Sequence, residues 1–237
     1  FKILRQNEHQ KPYFQVFELE VDPDEYVLDG IERVWAFHDR TLSYRHACHH
    51  STCGVCGMRV NGIEKLTCIT PIRDVAHDHG IIQVEPLRNF PVISDLVIDV
   101  SSMFQKIEQS HTPQVAVNSL AQAPGDPNLP AGDENYERLV DCIECGLCIS
   151  ACPSSLTSSE YLGPAGIAAV HQAFKISQDR ALLSMVDCQD GVWRCHSAFE
   201  CTEVCPSNVN PAARIMALRR TIINQKITAF FSGEKNE

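Results

Sequence analysis

A chain of 237 residues, 44% of them hydrophobic and 21% charged, has the composition of a folded globular protein and not of a disordered one. Its formal net charge of −10 argues against a nucleic-acid-binding protein, because phosphate contacts select basic surfaces. We expect no transmembrane segment of its own, since no apolar run reaches the roughly 18 residues that a spanning helix needs, and no secretory signal at the N terminus.

The first hundred residues predict a small β-rich domain. Residues 13–20 are a strand candidate, and an apolar stripe at helical spacing over residues 28–35 predicts one short helix after it. Residues 58–68 hold Asn61-Gly62 between two short apolar segments, which is typical of a β-hairpin. Residues 81–85 are the last strand that we predict in this domain.

The clearest helical pattern of the chain comes next. Pro91 precedes it, as is common before a helix, and the apolar positions recur at intervals of three and four residues. These positions are Ile93, Leu96, Val97, Val100, Met103, Phe104 and Ile107. The spacing predicts a single core helix over residues 93–107.

A segment rich in proline and small polar residues follows, at residues 110–133. We interpret it as a linker and place the domain boundary near its start, which gives domains 1–108 and 109–237. Beyond the linker the pattern is helical. Residues 161–176 predict one helix, and Asn210-Pro211 marks the start of another. The predicted fold class is therefore α+β, with a β-rich domain followed by an all-helical one.

Twelve cysteines are the unusual feature of the composition. Eleven of them fall into three tight groups, at residues 48–68, 142–152 and 195–205, and Cys188 is left over. A disulfide framework is typical of short secreted chains and does not require such spacing, whereas metal centres do. The grouping therefore indicates three metal centres, and we interpret Cys188 as a free thiol without a role.

The first group has the spacing of plant-type ferredoxins, Cys48-x4-Cys53-x2-Cys56 with Cys68 after it. Such a loop holds a 2Fe–2S cluster, and the glycines that follow its second and third cysteines let backbone N–H groups approach sulfur. Zinc is the alternative metal, but zinc sites use paired short spacings, of which this group has only one. Since all four cysteine positions are filled, the two histidines in the loop are not needed as ligands, and we interpret them as exposed loop residues.

The second group has the spacing of bacterial ferredoxins, in which the cysteine before a proline binds the other cluster of a pair. It reads Cys142-x2-Cys145-x2-Cys148-x3-Cys152-Pro153, and the third group reads Cys195-x5-Cys201-x3-Cys205-Pro206. Exchange of the fourth ligands between the groups gives one complete set for a 4Fe–4S cluster. Its members are Cys142, Cys145, Cys148 and Cys205.

The remaining set holds only three cysteines, Cys152, Cys195 and Cys201, because Ala198 stands where a middle cysteine is expected. Alanine cannot bind iron, so this set favours a 3Fe–4S cluster. The alternative is a 4Fe–4S cluster that takes water, His196 or Glu200 as its fourth ligand. For the whole chain, the alternative from a different class is a non-redox scaffold whose cysteines bind zinc.

This combination resembles the iron–sulfur subunit of succinate dehydrogenase and fumarate reductase. Lys11-Pro12-Tyr13 and Cys195-His196-Ser197 also match that family. The resemblance implies a plant-type ferredoxin-like (β-grasp) domain, a helical bacterial-ferredoxin-like domain, and an electron relay between the FAD of a partner flavoprotein and quinone. The chain has no G-x-G-x-x-G and no G-x-x-x-x-G-K motif, so we expect the substrate chemistry on the partner subunit.

The resemblance further implies membrane-anchor subunits and a peripheral position, on the cytoplasmic side of the cell membrane or, in a eukaryote, on the matrix face of the mitochondrial inner membrane. Pro153 and His196 match quinone-site positions of the family. The tryptophan that quinone-binding members carry shortly after this proline is absent, and Tyr161 is the first aromatic residue to follow. The alternatives are the same relay serving a different flavin dehydrogenase, or an acceptor other than quinone.

Overall fold

The computed structural model describes residues 1–7, 10–110 and 142–232. Residues 111–133 of the predicted linker lie outside this part of the chain. On either side of that gap the order of elements is the predicted one, with strands and short helices first and an all-helical part second. The prediction of an α+β fold is therefore confirmed.

A five-stranded mixed sheet forms the first part. Its strand order is β2-β1-β5-β3-β4, in which β1 and β5 run parallel and the other neighbours run antiparallel. The strands are β1 (Lys2–Asn7), β2 (Gln10–Val16), β3 (Gly57–Val60), β4 (Ile63–Leu66) and β5 (Gln83–Glu85). Helix α1 (Val27–Arg33) and one π-helical turn (Val34–His38) follow β2. Because they bury their apolar side chains with those of the sheet, the helix predicted over residues 28–35 is confirmed.

The strand predicted at residues 13–20 lies closer to the N terminus than expected. β2 pairs with β1 in a register that places Lys2 opposite Val16. Beyond Val16, only Phe1 is left to pair with, and its carbonyl accepts the N–H of Phe17. The ladder ends there because its partner strand ends.

The hairpin predicted at Asn61-Gly62 is confirmed. Both residues have positive φ, 49° and 86°, as a two-residue type I′ turn requires. The side chain of Asn61 also ties the turn to its surroundings, since its Oδ1 accepts the N–H of Gln83 and its Nδ2 donates to the carbonyl of Val75.

The single helix predicted over residues 93–107 is wrong in its first half. Residues 92–98 form a small hairpin of β6 (Val92–Ser94) and β7 (Val97–Ile98), and helix α2 is Ser101–Ser110. The carboxylate of Asp95 in the hairpin turn is buried and accepts hydrogen bonds from Arg5, Gln6 and Ser43. These contacts fix the turn through distant parts of the chain, which a local apolar spacing does not register.

The second part consists of helices, most of which surround an apolar core of their own, while α3 and one face of α4 pack into a core shared with the first part. They are α3 (Leu147–Ala151), α4 (Gly163–Ser177), α5 (Arg180–Val186), α6 (Glu200–Glu203) and α7 (Pro211–Ser232). Helix α4 packs against α2, α5 and α7, so it joins the two parts. The helices predicted at residues 161–176 and from Pro211 are thereby confirmed. Among the described helices, none combines the length and the apolar character needed to cross a membrane.

Polar contacts fasten helix α3 to the first part of the chain. The hydroxyl of Ser150 donates to the buried carboxylate of Glu64 at 2.8 Å and accepts the N–H of Arg88 at 2.9 Å. The side-chain amide of Asn89 donates to the carbonyls of residues 149, 150 and 152. Since Cys148 lies in α3 and Cys152 directly follows its last residue, these bonds hold cysteines of the second group against the sheet part.

Candidate metal centres

The first cysteine group is a tight loop whose backbone points at its own sulfur atoms. The Sγ of Cys48 accepts N–H bonds from His50, Thr52 and Cys53 at 3.3–3.5 Å, and the Sγ of Cys68 accepts one from Ser51. Left-handed backbone at His49, Ser51 and Gly54 makes this curvature feasible. Donors aimed at sulfur stabilise a thiolate, so the loop suits a metal–sulfur cluster.

Thiol acidity in the first loop follows from those donors. The N–H groups of His50 and Cys53 lower the pKa of the Cys48 thiol to about 6. Cys68 lies behind the loop, where burial raises the pKa of its thiol to about 12 and the adjacent Cys56 adds to the rise. The loop thus offers one acidic thiol at its surface and buried thiols beneath it.

The second cysteine group lines one cavity together with a cysteine from far along the chain. Four of its lining residues are Cys142, Cys145, Cys148 and Cys205, and apolar side chains such as Ala168 and Val209 complete the wall. Burial raises the pKa of the Cys148 thiol well above its usual value, and the neighbouring cysteines add to the effect. Four convergent thiols in an apolar wall are unfavourable as anions unless a cation compensates them, so the donor set fits a metal cluster.

The third cysteine group lines a second cavity with Cys152, which the preceding group supplies. Cys152, Cys195 and Cys201 face it, and Ala198 stands in the wall without a donor atom. The N–H of Ser197 donates to the Sγ of Cys195 at 3.4 Å. His196 and Glu200 line the same cavity, so the alternative fourth ligands are also within it.

A buried tyrosine completes the wall of this third cavity. Tyr161 is 2% exposed, and its hydroxyl has no hydrogen-bond partner among the described residues. Burial raises the pKa of this phenol, and the charges of Cys152, Cys195 and Cys201 add to the rise. An orphaned donor beside three cysteines fits a cavity that holds a group rich in acceptors, as a cluster with its inorganic sulfides is.

The three groups touch one another in series. A Cβ added to Gly54 of the first loop would lie 2.7 Å from the Cβ of Cys145, so the first two loops are in direct contact. Helix α3, which carries Cys148, packs against α6, which carries Cys201, so the second and third groups lie side by side. The sequence predicted three groups but not this contact, which depends on how the two parts pack.

The other predicted site residues lie at the third cavity or outside all three groups. Pro153 and His196 both line the third cavity. Cys188 is exposed, and its thiol donates to the carbonyl of Met185. Sequence reasoning missed Tyr161 as a cavity residue, although its place as the first aromatic residue after Pro153 was the available signal.

Comparisons with known proteins agree with this geometry. The family described as a 2Fe-2S iron-sulfur cluster binding domain matches residues 1–105, and the 4Fe-4S dicluster domain matches residues 138–209. The fumarate reductase iron-sulfur subunit of Haemophilus influenzae is 34% identical, with 90% of this chain and 89% of that protein covered. The succinate dehydrogenase iron-sulfur subunit of Coxiella burnetii is 30% identical, with 95% and 97% covered.

A chain of the Mycobacterium smegmatis Sdh1 complex in the apo form has the same fold, with a TM-score of 0.77 at 24% identity and 95% of both chains covered. The predicted 2Fe–2S and 4Fe–4S domains, their ferredoxin-like folds and the electron relay are confirmed together. The chain belongs to the family of iron–sulfur subunits of fumarate reductase and succinate dehydrogenase.

Proposed function

We propose that this chain carries electrons between the flavin of a partner flavoprotein and a quinone, through three clusters in series. The observation that carries the proposal is that the three cysteine groups lie in series. Gly54 of the first group contacts Cys145 of the second, and helix α3 with Cys148 packs against α6 with Cys201. Each cluster, when bound, takes up and gives up one electron at a time. The substrate of the complex, succinate or fumarate, reacts on the flavoprotein.

The ligand sets belong to this proposal, as does the division into domains 1–108 and 109–237. The 2Fe–2S cluster is held by Cys48, Cys53, Cys56 and Cys68. The 4Fe–4S cluster is held by Cys142, Cys145, Cys148 and Cys205, which share one cavity. The 3Fe–4S cluster is held by Cys152, Cys195 and Cys201, which share the other.

The absence of a donor at Ala198 supports three irons in the third cavity. Ala198→Cys would supply a fourth thiol there, and we expect it to convert the 3Fe–4S signal into that of a 4Fe–4S cluster with a lower potential. An unchanged 3Fe–4S spectrum in this variant would show that position 198 does not face the open corner of the cluster.

The quinone end of the relay is proposed at the third cavity. Pro153, His196 and Phe199 line it, and Phe199 is 47% exposed. An apolar rim with one imidazole donor suits a quinone ring, whose polar atoms are two carbonyl oxygens. The same rim would meet membrane-anchor subunits, which would hold this chain peripherally on the cytoplasmic or, in a eukaryote, the matrix face of a membrane.

Electron paramagnetic resonance (EPR) on anaerobically purified protein tests the three clusters, with iron and acid-labile sulfide counted on the same sample. We expect a 3Fe–4S signal in the oxidised protein and 2Fe–2S and 4Fe–4S signals after reduction with dithionite. A silent oxidised protein with two 4Fe–4S signals on reduction would overturn the third assignment. A colourless protein with zinc and no sulfide would overturn all three.

The partner and the acceptor are tested on the co-purified complex. We expect it to oxidise succinate or reduce fumarate and to exchange electrons with a quinone. A flavoprotein partner with another substrate and no response to either acid would contradict the proposal. His196→Ala should slow reduction of the quinone more than transfer between clusters, and equal turnover would count against the site.

A further inference from the structure

Three metal-binding side chains converge beside the first cysteine loop, outside the cysteine groups. Glu32 projects from helix α1, while His46 and His49 come from the loop segment. The Oε1 of Glu32 lies 3.1 Å from the Nδ1 of His46 and 3.3 Å from the Nε2 of His49. The two imidazole nitrogens are 2.9 Å apart. Three potential metal-ligand atoms therefore lie within 3.3 Å of one another.

These separations are those of ligands around a small divalent ion. Zinc–nitrogen and zinc–oxygen bonds of about 2.0–2.2 Å place neighbouring ligand atoms about 2.9 Å apart at right angles and about 3.3–3.5 Å apart in a tetrahedron. The observed values of 2.9–3.3 Å fall in that range. Two histidines and one carboxylate are also a recurrent ligand set of zinc and other first-row ions.

Hydrogen bonds among Glu32, His46 and His49 do not satisfy all of their polar atoms. One proton serves the contact between His46 and His49, and the solvent-inaccessible Oε1 of Glu32 accepts no well-directed hydrogen bond within the described part of the chain, so that only a positive charge on one of the two imidazoles would pair with it. A buried carboxylate oxygen beside two neutral imidazoles, without a well-directed donor, is costly. A cation bound by all three atoms removes this cost.

The imidazoles are held in place before any ion arrives. The ring of His46 stacks on Tyr44 at 5.2 Å and 18°, and Tyr44 packs edge-on against Trp35 and into the apolar core. The left-handed backbone of His49 (φ 60°) turns its ring back toward His46. Such ordering lowers the entropic cost of binding.

We propose that Glu32, His46 and His49 bind a divalent first-row transition metal ion, with zinc as the representative ion and the remaining coordination position left to water. The site lies next to Cys48 in sequence, so a bound cation would favour the reduced, more negative state of the first cluster. That consequence rests on the proposed function, whereas binding of the ion does not.

Zinc binding to the cluster-loaded complex tests the site. The chain carries Cys188→Ser throughout, because the exposed thiol of Cys188 is a competing zinc ligand. Equilibrium dialysis against Zn²⁺ with metal analysis should find one additional zinc per chain at unchanged iron. Mg²⁺ should not bind measurably, since it prefers oxygen ligands.

Substitutions identify the ligands. His46→Ala and His49→Ala should each weaken zinc binding by at least about tenfold, and Glu32→Gln by less, because the amide keeps a neutral oxygen at the same place. His50→Ala is the matched control, since this exposed histidine of the same loop is outside the triad, and it should bind zinc like the parent.

Three results would overturn the proposal. They are the absence of bound zinc in the parent, equal affinity in the His46 and His49 variants, and loss of iron in step with zinc uptake. EPR of the three iron–sulfur clusters on the same samples distinguishes failure of the zinc proposal from failure of the proposed function. If only the zinc proposal fails, the three cluster signals remain intact.

Discussion

Cys48 of the first cysteine group and Cys145 of the second are prepared for metal in opposite ways. In the loop, backbone donors of His50 and Cys53 lower the pKa of the Cys48 thiol to about 6. In the helical part, burial raises the pKa of the Cys145 thiol to about 12. A thiolate therefore forms at Cys48 without metal, whereas Cys145 becomes a thiolate only when a cation is bound. Cys48 is therefore a ready ligand in advance, while Cys145, like the buried Cys68 of the first group, becomes a ligand only together with the metal.

The largest effect that we predict is a difference in the alkylation rates of Cys48 and Cys145 in the metal-free chain. At pH 7 Cys48 would be mostly thiolate, whereas Cys145 would be almost entirely protonated. Iodoacetamide should therefore label Cys48 first, with a pH midpoint near 6, as read by mass spectrometry of peptides. Equal labelling of both cysteines at pH 7 would contradict the comparison.

The two pKa shifts make the stability of the folded chain depend on pH in opposite directions. The folded pKa of Cys48 lies below its ordinary value of 9.0, so its contribution to the free energy of unfolding is present above pH 9 and is lost as the pH falls through 6. The folded pKa of Cys145 lies above 9.0, so its contribution is present below pH 9 and is lost as the pH rises through 12.

Removal of one thiol from the helical part should leave the loop intact. Cys205 shares the second cavity with the Cys142 group, and Cys205→Ala would leave three thiols there. We expect the 4Fe–4S signal and about four irons per chain to be lost, with the 2Fe–2S signal retained. Cys188→Ala, at an exposed cysteine outside the cavities, should retain every signal. Loss of the 2Fe–2S signal as well would mean that the two parts do not fold separately.

The contact between the first and second cysteine groups is tightest at Gly54, where no side chain can be added without overlap. Its φ is +70°, and an added Cβ would lie 2.7 Å from the Cβ of Cys145 and 2.9 Å from its Cα. Gly54→Ala should therefore destabilise the chain by about 1–3 kcal/mol and slow reduction of the second cluster by the first.

Gly62→Ala is a matched control for this substitution. Gly62 also has positive φ, +86°, but an added Cβ would meet only Arg59 at 3.8 Å. Gly62→Ala places a non-glycine residue at positive φ but causes no steric overlap. It should therefore lower the melting temperature less than Gly54→Ala and leave the rate of electron transfer between the first two clusters unchanged. Equal effects of both substitutions would show that the loops do not touch at Gly54.

Sequence reasoning succeeded where spacing along the chain decides the outcome. Cysteine intervals predicted the three groups, and Asn61-Gly62 predicted a hairpin because a two-residue turn needs positive φ at both positions. The exchange of Cys152 and Cys205 between groups also followed from spacing, and the structure places each beside its predicted group. The identity of the ligands stays a prediction.

Sequence reasoning failed where contacts between residues far apart in the chain determine the local structure. Residues 93–107 have the apolar spacing of one helix, but Asp95 is held in a turn by Arg5 and Ser43, some 90 and 52 positions away. Glu32 meets His46 and His49 only because helix α1 lies beside the loop. Neither contact has a local signature, since each arises from packing of elements that are far apart in the chain.

The smallest effect that we predict concerns the hydroxyl of Tyr161. In the third cavity it has no partner among the described residues, so Tyr161→Phe should leave the stability of the metal-free chain unchanged or raise it slightly. In the loaded protein a phenol that donates to a cluster sulfur favours the reduced state, so its removal should lower the midpoint potential of the third cluster. Redox titration followed by EPR measures that shift.

Two internal comparisons make the Tyr161→Phe result specific. The midpoint potential of the first cluster should stay constant in the same titration, because Tyr161 lines the third cavity and no residue of the first loop does. Tyr13→Phe, at a tyrosine 47% exposed on β2, should change neither potential. A third-cluster potential that is the same in parent and Tyr161→Phe would show that the hydroxyl faces away from the cluster. A lowered potential would instead extend the comparison between the first loop and the helical part. The third cavity would then stabilise the reduced state of its cluster through a side-chain donor, whereas the first loop uses backbone N–H groups.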